Sequence, residues 1–336
     1  MPSTLEASAP SASANVWLHR HAVLTACSTL ILIGIGGVVT STEAGMAVPD
    51  WPTSYGYNMF LFPIHLWQGG IFYEHTHRLF ASFVGLLTMI LAAWLWIADP
   101  RLWLRKLGLL ALVAVIAQGI LGGLRVRLRL DQLGVPHAAL AQLFFGLVSA
   151  IALFTSSAWS SSTPRRIPNA LGPTWLRAFL VALTGLIFAQ LLFGAAMRHQ
   201  HAGLAVSTFP LAYRKVWPST DPASLARINQ TSSEAHGSNP VTAAHVHLHM
   251  THRFTAVFIL LGAGVFWWIV RQRKGTKARE TRLALAWAWL VLIQAGLGVA
   301  TVLSNKAADV ATLHVMLGAA CLVFGILFSV TAFVRP

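Results

Sequence analysis

Eight apolar runs, each about the 20 residues that cross a hydrocarbon core, divide this chain: roughly 21–41, 76–98, 106–124, 136–156, 176–197, 251–270, 282–303 and 311–333. A backbone in lipid must satisfy its own N–H and C=O groups, so such runs fold as helices or closed barrels. Continuous rather than alternating apolarity selects helices. With 56% hydrophobic and only 10% charged residues, the 336-residue chain lies outside the range of water-soluble globules. The expected fold class is an all-α polytopic membrane protein with eight transmembrane helices.

Three passages occur twice. Gly36 to Pro52, GGVVTSTEAGMAVPDWP, aligns without a gap on Gly194 to Pro210, GAAMRHQHAGLAVSTFP. EHTHRLFASFVG around His77 matches HMTHRFTAVFILLG around His252, and PHAALAQLFFG around His137 matches LHVMLGAACLVFG around His314. A four-helix unit has been duplicated. Four spans per unit is an even number, so both halves enter the bilayer in the same orientation, as tandem four-helix bundles related by a pseudo-twofold axis along the membrane normal. The expected division is a disordered cytoplasmic tail (1–20), an N-terminal half (21–156), a Ser- and Pro-rich cytoplasmic linker (157–175) and a C-terminal half (176–333). Two outer loops, about 42–75 and 198–250, are long enough to be functional or mobile.

Fourteen of the 24 Lys and Arg fall at or near one face when the N-terminus is placed in the cytoplasm: Arg20, Arg101, Arg105, Lys106, Arg165, Arg166, Arg177, Arg271, Arg273, Lys274, Lys277, Arg279, Arg282 and Arg335. Only Glu6, Asp99 and Glu280 are acidic there. The positive-inside rule therefore places both termini in the cytoplasm, in a bacterial inner membrane. The formal charge of +14 is mostly topology, since its residues sit in short loops beside spans, and a nucleic-acid partner is not expected. Cys27 and Cys321 lie inside spans and read as packing residues rather than a redox pair. Glu6 and the scarcity of Arg argue against a transit peptide, and the run from residue 21 is too long for a cleaved signal and belongs to the repeat.

On this topology the second, fourth, sixth and eighth runs all descend from the outer face. His77, His137, His252 and His314 are thus expected within a turn or so of the outer helix ends, at one depth. A polar side chain in a span faces the bundle interior rather than lipid. In each unit, one His from the second helix and one from the fourth then oppose each other across the core, the arrangement in which bundles hold cofactors. Bis-His ligation of haem iron is the economical reading, with interhelical hydrogen bonding as the bland one. Recurrence at two positions in two repeats favours two haem sites.

The halves are chemically unequal. Glu74 stands three residues before His77, on the same helical face; the equivalent before His252 is His249. A carboxylate there suits proton movement or charge control at a haem edge, or merely a helix N-terminus. Arg78 and Arg253, with Arg125, Arg127 and Arg129, are candidates for pairing with haem propionates, and contact with lipid headgroups explains the last three about as well. His245, His247, His249 and His252 form an H-x-H-x-H-x-x-H run that is a weak candidate for a further metal. Asp50 and Trp51, replaced by Thr208 and Phe209 in the second copy, either shape a substrate entrance or mark the membrane interface. Gln118 and Gln294 are paired by the repeat and suited to hydrogen bonding within their bundles.

Taken together, EHTHR at Glu74 to Arg78, PH at Pro136 and His137, THR at Thr251 to Arg253, LH at Leu313 and His314, and the AG-x-AV-x-DWP-like loop at Ala44 to Pro52 resemble the haem A synthase family, over residues 21–333. The resemblance implies an oxidoreductase in which His77 and His137 hold the substrate haem O and His252 and His314 a permanent haem B. The reaction it implies oxidises the C8 methyl of haem O to a formyl group by successive hydroxylations and loss of water. Glu74 matches the family's essential acidic residue, as proton acceptor or as stabiliser of a cationic intermediate, and haem B would pass electrons into or away from the substrate site. Implied partners are a haem O synthase and a haem-copper oxidase; the electron acceptor and any homo-oligomer stay open. Many bacterial relatives carry a cysteine pair in an outer loop and this chain has none, so no thiol mechanism operates here. Two other classes compete: a dihaem b-type electron-transfer cytochrome, in which Glu74 has no obligatory role, and a transporter built from parallel repeats, which calls for midplane polar sites.

Overall fold

The computed structural model describes residues 15–160, 171–231 and 240–333. Most of the expected tail, the Ser- and Pro-rich heart of the linker with Arg165 and Arg166, and Arg335 lie outside the described residues. Eight helices are long and apolar enough to cross a membrane: α1 (Val16–Ser41), α2 (Gly69–Ala98), α3 (Leu102–Arg127), α4 (Gly134–Thr155), α5 (Thr174–His199), α6 (Ala243–Lys274), α7 (Arg279–Leu303) and α8 (Ala308–Phe333). No strand occurs among the described residues, and the protein is a multi-pass, all-α membrane protein.

Three helices start well before their apolar runs, and two of the starts carry a side-chain cap. The Asn15 side chain accepts from Trp17 and Leu18 N–H and begins α1 at Val16, inside the segment expected to be tail. Thr242 and His245 form a reciprocal capping box that begins α6 eight residues above its apolar run. In α2 the added first turns contain Tyr73, Glu74 and His75. Hydropathy registers only the part of a helix that suits lipid, so these polar turns read as loop. At the opposite end of α2, Pro100 disfavours helical geometry at Asp99, and the Asp99 carboxylate takes the Arg101 backbone N–H and guanidinium at 2.6–2.9 Å.

Packing closes the helices into two rings. In the first, α1 touches α2, α2 touches α3, α3 touches α4 and α4 returns to α1; the ring of α5, α6, α7 and α8 repeats this. Between rings, α1 meets α8, α4 meets α5, and α4 meets α8. Exchanging the halves converts the first pair into the second and leaves the third unchanged, which is the signature of a twofold axis running between α4 and α8. Lipid tails are as apolar as leucine, so close packing rather than the hydrophobic effect joins the rings. Small residues supply it: a Cβ on Gly34 would strike the Met316 thioether, and one on Gly146 would strike Ile326. One tie has no symmetric counterpart: Arg198 of α5 donates to Gly37 O at 2.7 Å and Ser41 Oγ at 2.9 Å on α1. Cys321 is buried in the second core, as expected, whereas Cys27 is exposed on α1 and packs no core.

Candidate functional site

Each of the four repeat histidines lies on a glycine of the preceding helix. A Cβ on Gly36 would stand 3.2 Å from His77 Cε1, one on Gly122 3.3 Å from His137 Cε1, one on Gly194 3.3 Å from His252 Cε1, and one on Gly298 3.0 Å from His314 Cε1. All four distances are tighter than an ordinary carbon contact, so each glycine is the recess that admits an imidazole. These glycines are a further repeat-paired set (Gly36 with Gly194, Gly122 with Gly298) that the histidine reading passed over. The depth expectation is corrected for two of the four. His137 and His314 lie within two turns of their helix starts, but His77 and His252 sit more than two turns in, because α2 and α6 begin early.

Backbone anchors fix the helices that carry these histidines. Gln118 Nε2 donates to His137 O at 3.0 Å and Gln294 Nε2 to His314 O at 2.9 Å, as their pairing suggested. Gln190 donates to His252 O at 2.9 Å, and its counterpart in the first half is Leu32, so that anchor exists once. The His252 and His314 rings face each other with centroids 6.5 Å apart and planes at 74°. Two imidazoles sharing one metal, with bonds of about 2 Å and roughly 1 Å more from nitrogen to ring centre, have centroids about 6 Å apart. The pair therefore fits haem iron between its rings. In the first half, His77 and His137 are close enough to act on each other electrostatically. The buried Nδ1 atoms of His77, His137 and His252 have no hydrogen-bond partner.

Glu74 is buried and neither caps its helix nor stands free. One carboxylate oxygen accepts the Val48 N–H at 2.7 Å and the other pairs with Arg78 at 2.7 Å. Arg78 then donates to three loop carbonyls, Val48 O, Asp50 O and Thr53 O, at 2.7–3.1 Å. The second half repeats the clamp with other chemistry: Val206 N–H meets His249 Nδ1 at 3.4 Å, and Arg253 donates to Val206 O and Thr208 O at 2.7 and 2.9 Å. Arg78 and Arg253 thus each tie the loop of their half to the helix that carries the repeat histidine. Arg125 faces Asp131 at 2.7 Å and lies within electrostatic reach of both His77 and His137.

The loops repeat further than the letters do. Asp50 accepts from Thr53 Oγ1, Tyr55 N and Gly56 N, while Thr208 accepts from Tyr213 N and donates to Leu211 O. The Tyr55 hydroxyl donates to Ala47 O as the Tyr213 hydroxyl does to Ala205 O. Burial alone would raise the Asp50 pKa, but these three donors outweigh it and hold the carboxyl below its usual value of 3.8. Trp51 rests on Gly123 of α3, where a Cβ would overlap its ring. His75 escaped the sequence reading: fully buried, it meets Ser54 Oγ at 3.1 Å and packs between Phe62 and Trp67. The H-x-H-x-H-x-x-H run does not converge. His245 caps α6, His247 lies on Trp217, His249 clamps the loop and His252 faces the core. Among the described residues no three His, Cys, Asp or Glu side chains are grouped to hold a metal ion.

The chain is similar over most of its length to proteins named haem A synthase. It is 26% identical to the one of Shouchella clausii (strain KSM-K16), covering 86% of this chain and 88% of that protein. It is 27% identical to that of Halalkalibacterium halodurans, covering 89% and 93%, and 26% identical to haem A synthase COX15 of Homo sapiens, covering 91% and 80%. Residues 64–326, a stretch that holds all four histidines, Glu74 and both loop arginines, match the model of the COX15-CtaA cytochrome oxidase assembly proteins, and the chain belongs to that family.

Proposed function

We propose that this protein is a haem A synthase, an oxidoreductase that converts the C8 methyl of haem O to a formyl group by successive hydroxylations and loss of water. Substrate haem O is held in the first half by His77 and His137, and haem B in the second by His252 and His314. The carrying observation is an asymmetry: two equal glycine-backed histidine pairs, with a buried carboxylate, Glu74, beside only one of them. The relatives named haem A synthase support the same reading. Haem B, when bound, supplies one-electron redox chemistry.

The chain's own residues hold and orient. Gly36 and Gly122 leave the room that the His77 and His137 rings occupy, and Gln118 fixes the backbone of His137. Glu74 stands one turn above His77. Two donors occupy its carboxylate, which has about four lone-pair sites, so acceptor capacity remains for a proton released at the methyl group or for positive charge developing there. Arg78 holds the carboxylate in place and closes the loop of residues 46–54 over that end of the bundle, which keeps water from the reacting edge. The loop end faces out of the cytoplasm in a bacterial inner membrane, with both termini inside, because the short-loop end carries the larger share of Lys and Arg. A haem O synthase supplies the substrate and a haem-copper oxidase takes the product.

The test is to express the chain with a haem O synthase in a host lacking haem A, then extract and weigh the non-covalent haems. Haem A together with haem B is the expected result. Haem B alone, in membranes that demonstrably contain haem O, would overturn the proposal in favour of a dihaem electron-transfer cytochrome.

A further inference from the structure

Four arginines stand within electrostatic reach of the repeat histidines: Arg78 and Arg125 in the first half, Arg198 and Arg253 in the second. Those of the first half are compensated. Arg78 meets the Glu74 carboxylate at 2.7 Å and Arg125 that of Asp131 at 2.7 Å. Seen from farther away than its own length, an ion pair acts as a dipole and not as a charge, so the first histidine pair feels little net charge from either.

The second half has the cations without the acids. Arg253 donates to Val206 O and Thr208 O, and Arg198 to Gly37 O and Ser41 Oγ, all neutral acceptors. Among the described residues neither has a carboxylate partner. The repeat accounts for the difference. His249 stands where the first half has Glu74, and the register that equates Gln118 with Gln294 puts Thr301 and Ala307 where it has Arg125 and Asp131. Arg198 is peculiar to the second half, since its counterpart, in the register that pairs Gly36 with Gly194, is Thr40, whose hydroxyl closes on Gly36 O at 3.0 Å. It follows Gly194, the recess of His252, by four residues, and so stands on the same face of α5, about 6 Å farther out along the axis. Glu43, the acid nearest to Ser41 in sequence, is exposed and faces His201 at 3.8 Å. The exposed charges of the outer loops are screened by water and salt.

A cation within a span is costly and is retained where it serves. Reduction of haem iron removes one unit of positive charge, so a fixed cation nearby disfavours the oxidised form and raises the reduction potential; local charge and burial are among the means by which a protein sets that potential. We infer that the uncompensated charge of Arg198, joined by that of Arg253, raises the reduction potential of the haem held by His252 and His314 and makes it the better electron acceptor. The inference rests on the placement of haem B in the second half. Its magnitude follows from Coulomb's law. A guanidinium on the order of 10 Å from the iron, at an effective dielectric constant of about 20, changes the ratio of reduced to oxidised haem about tenfold. For a one-electron couple that is about 59 mV. Arg198 acts here through its charge, without touching the iron, while its hydrogen bonds to α1 hold the guanidinium in place.

The experiment is a potentiometric titration of the low-spin haem spectrum of the purified full chain, the second-site signal being the one that His314→Ala removes. Arg198→Gln should lower its midpoint by about 59 mV, the tenfold change above, and Arg198→Lys, which retains the charge but not the planar fork, should hold it near the wild-type value. A merely structural tie to α1 would make the two variants behave alike. Ser41→Asp leaves Arg198 in place and adds a carboxylate where the guanidinium already donates; the midpoint should fall by a similar amount, whereas the neutral Ser41→Asn should not move it. His249→Glu gives Arg253 the partner that Arg78 has in the first half and should also lower the midpoint. Should Arg198→Gln not retain haem, Ser41→Asp carries the test. An unmoved midpoint in Ser41→Asp and in Arg198→Gln overturns the inference and leaves the placement of haem B intact. If no low-spin signal depends on His314, that placement fails and this inference with it.

Discussion

The glycine beneath each ligand offers the sharpest test of the site. Replacing Gly298 by Ala puts a carbon 3.0 Å from His314 Cε1, where carbon atoms ordinarily approach to about 3.5–4.0 Å. The ring must therefore retreat by about half an ångström, whereas ligand distances tolerate about 0.2 Å. Helix propensity works the other way, favouring Ala by about 0.5–1 kcal/mol, so loss of ligation would not come from a weakened helix. Overpacking of this kind costs about 1–3 kcal/mol, which corresponds to roughly tenfold to hundredfold weaker haem binding. Gly298→Ala should lower haem occupancy of the second site, and Gly298→Val, with two more methyl groups in the recess, should empty it. The assay is haem content per protein with reduced-minus-oxidised spectra, and occupancy of the first site serves as the control for folding. Gly194→Ala, at 3.3 Å, should be milder. A Gly298→Val protein with full haem content and an unchanged spectrum would refute the recess argument.

Other expectations follow from the clamp and the ligands. Glu74→Gln retains an acceptor for the Val48 N–H, so the protein should assemble and load both haems but make no formyl product; wild-type product yield would remove Glu74 from the chemistry. Arg78→Lys should free the loop of residues 46–54, because one ammonium cannot reach the four acceptors that the guanidinium bridges; limited proteolysis would reveal it, and unchanged protection would count against the clamp. His252→Ala or His314→Ala should remove the low-spin haem B signal while leaving haem O binding in the first half, and full retention of that signal in both would refute the ligand assignment. Asp50 has a folded pKa below 3.8, so its stabilisation is complete above that value and is lost as pH falls through the lower folded pKa. Amide exchange at Tyr55 and Gly56 should accelerate in that acid window in the wild type, and Asp50→Asn should flatten the response; an identical acid response in the Asp50→Asn variant would exclude this carboxylate as the cause.

Much of this architecture is written in local sequence. Runs of apolar residues dictate spanning helices because lipid offers the backbone no partners, and an even-numbered duplication dictates parallel halves. Repetition of His77, His137, His252 and His314 marks them as candidate ligands because an imidazole is costly in lipid and its recurrence at two positions in two repeats calls for a shared role. What the letters could not supply was direction and partnership. Hydropathy cannot see that α2 and α6 extend into polar turns, since a helix continues beyond the stretch that suits lipid wherever its backbone geometry is satisfied. Spacing alone cannot reveal a loop clamp: Arg78 and Arg253 are clamps because the chain returns its own carbonyls to them, from residues 25 to 30 and 45 to 47 positions away. Glu74 likewise reads as a cap or a free acid until the fold brings Val48 against it. Which residues lie in the membrane, and which are repeated, can thus be read from the letters alone. Which glycine receives which imidazole, and which helices join the two rings, emerge only once the helices pack, because those facts depend on contacts between helices that no single helix encodes.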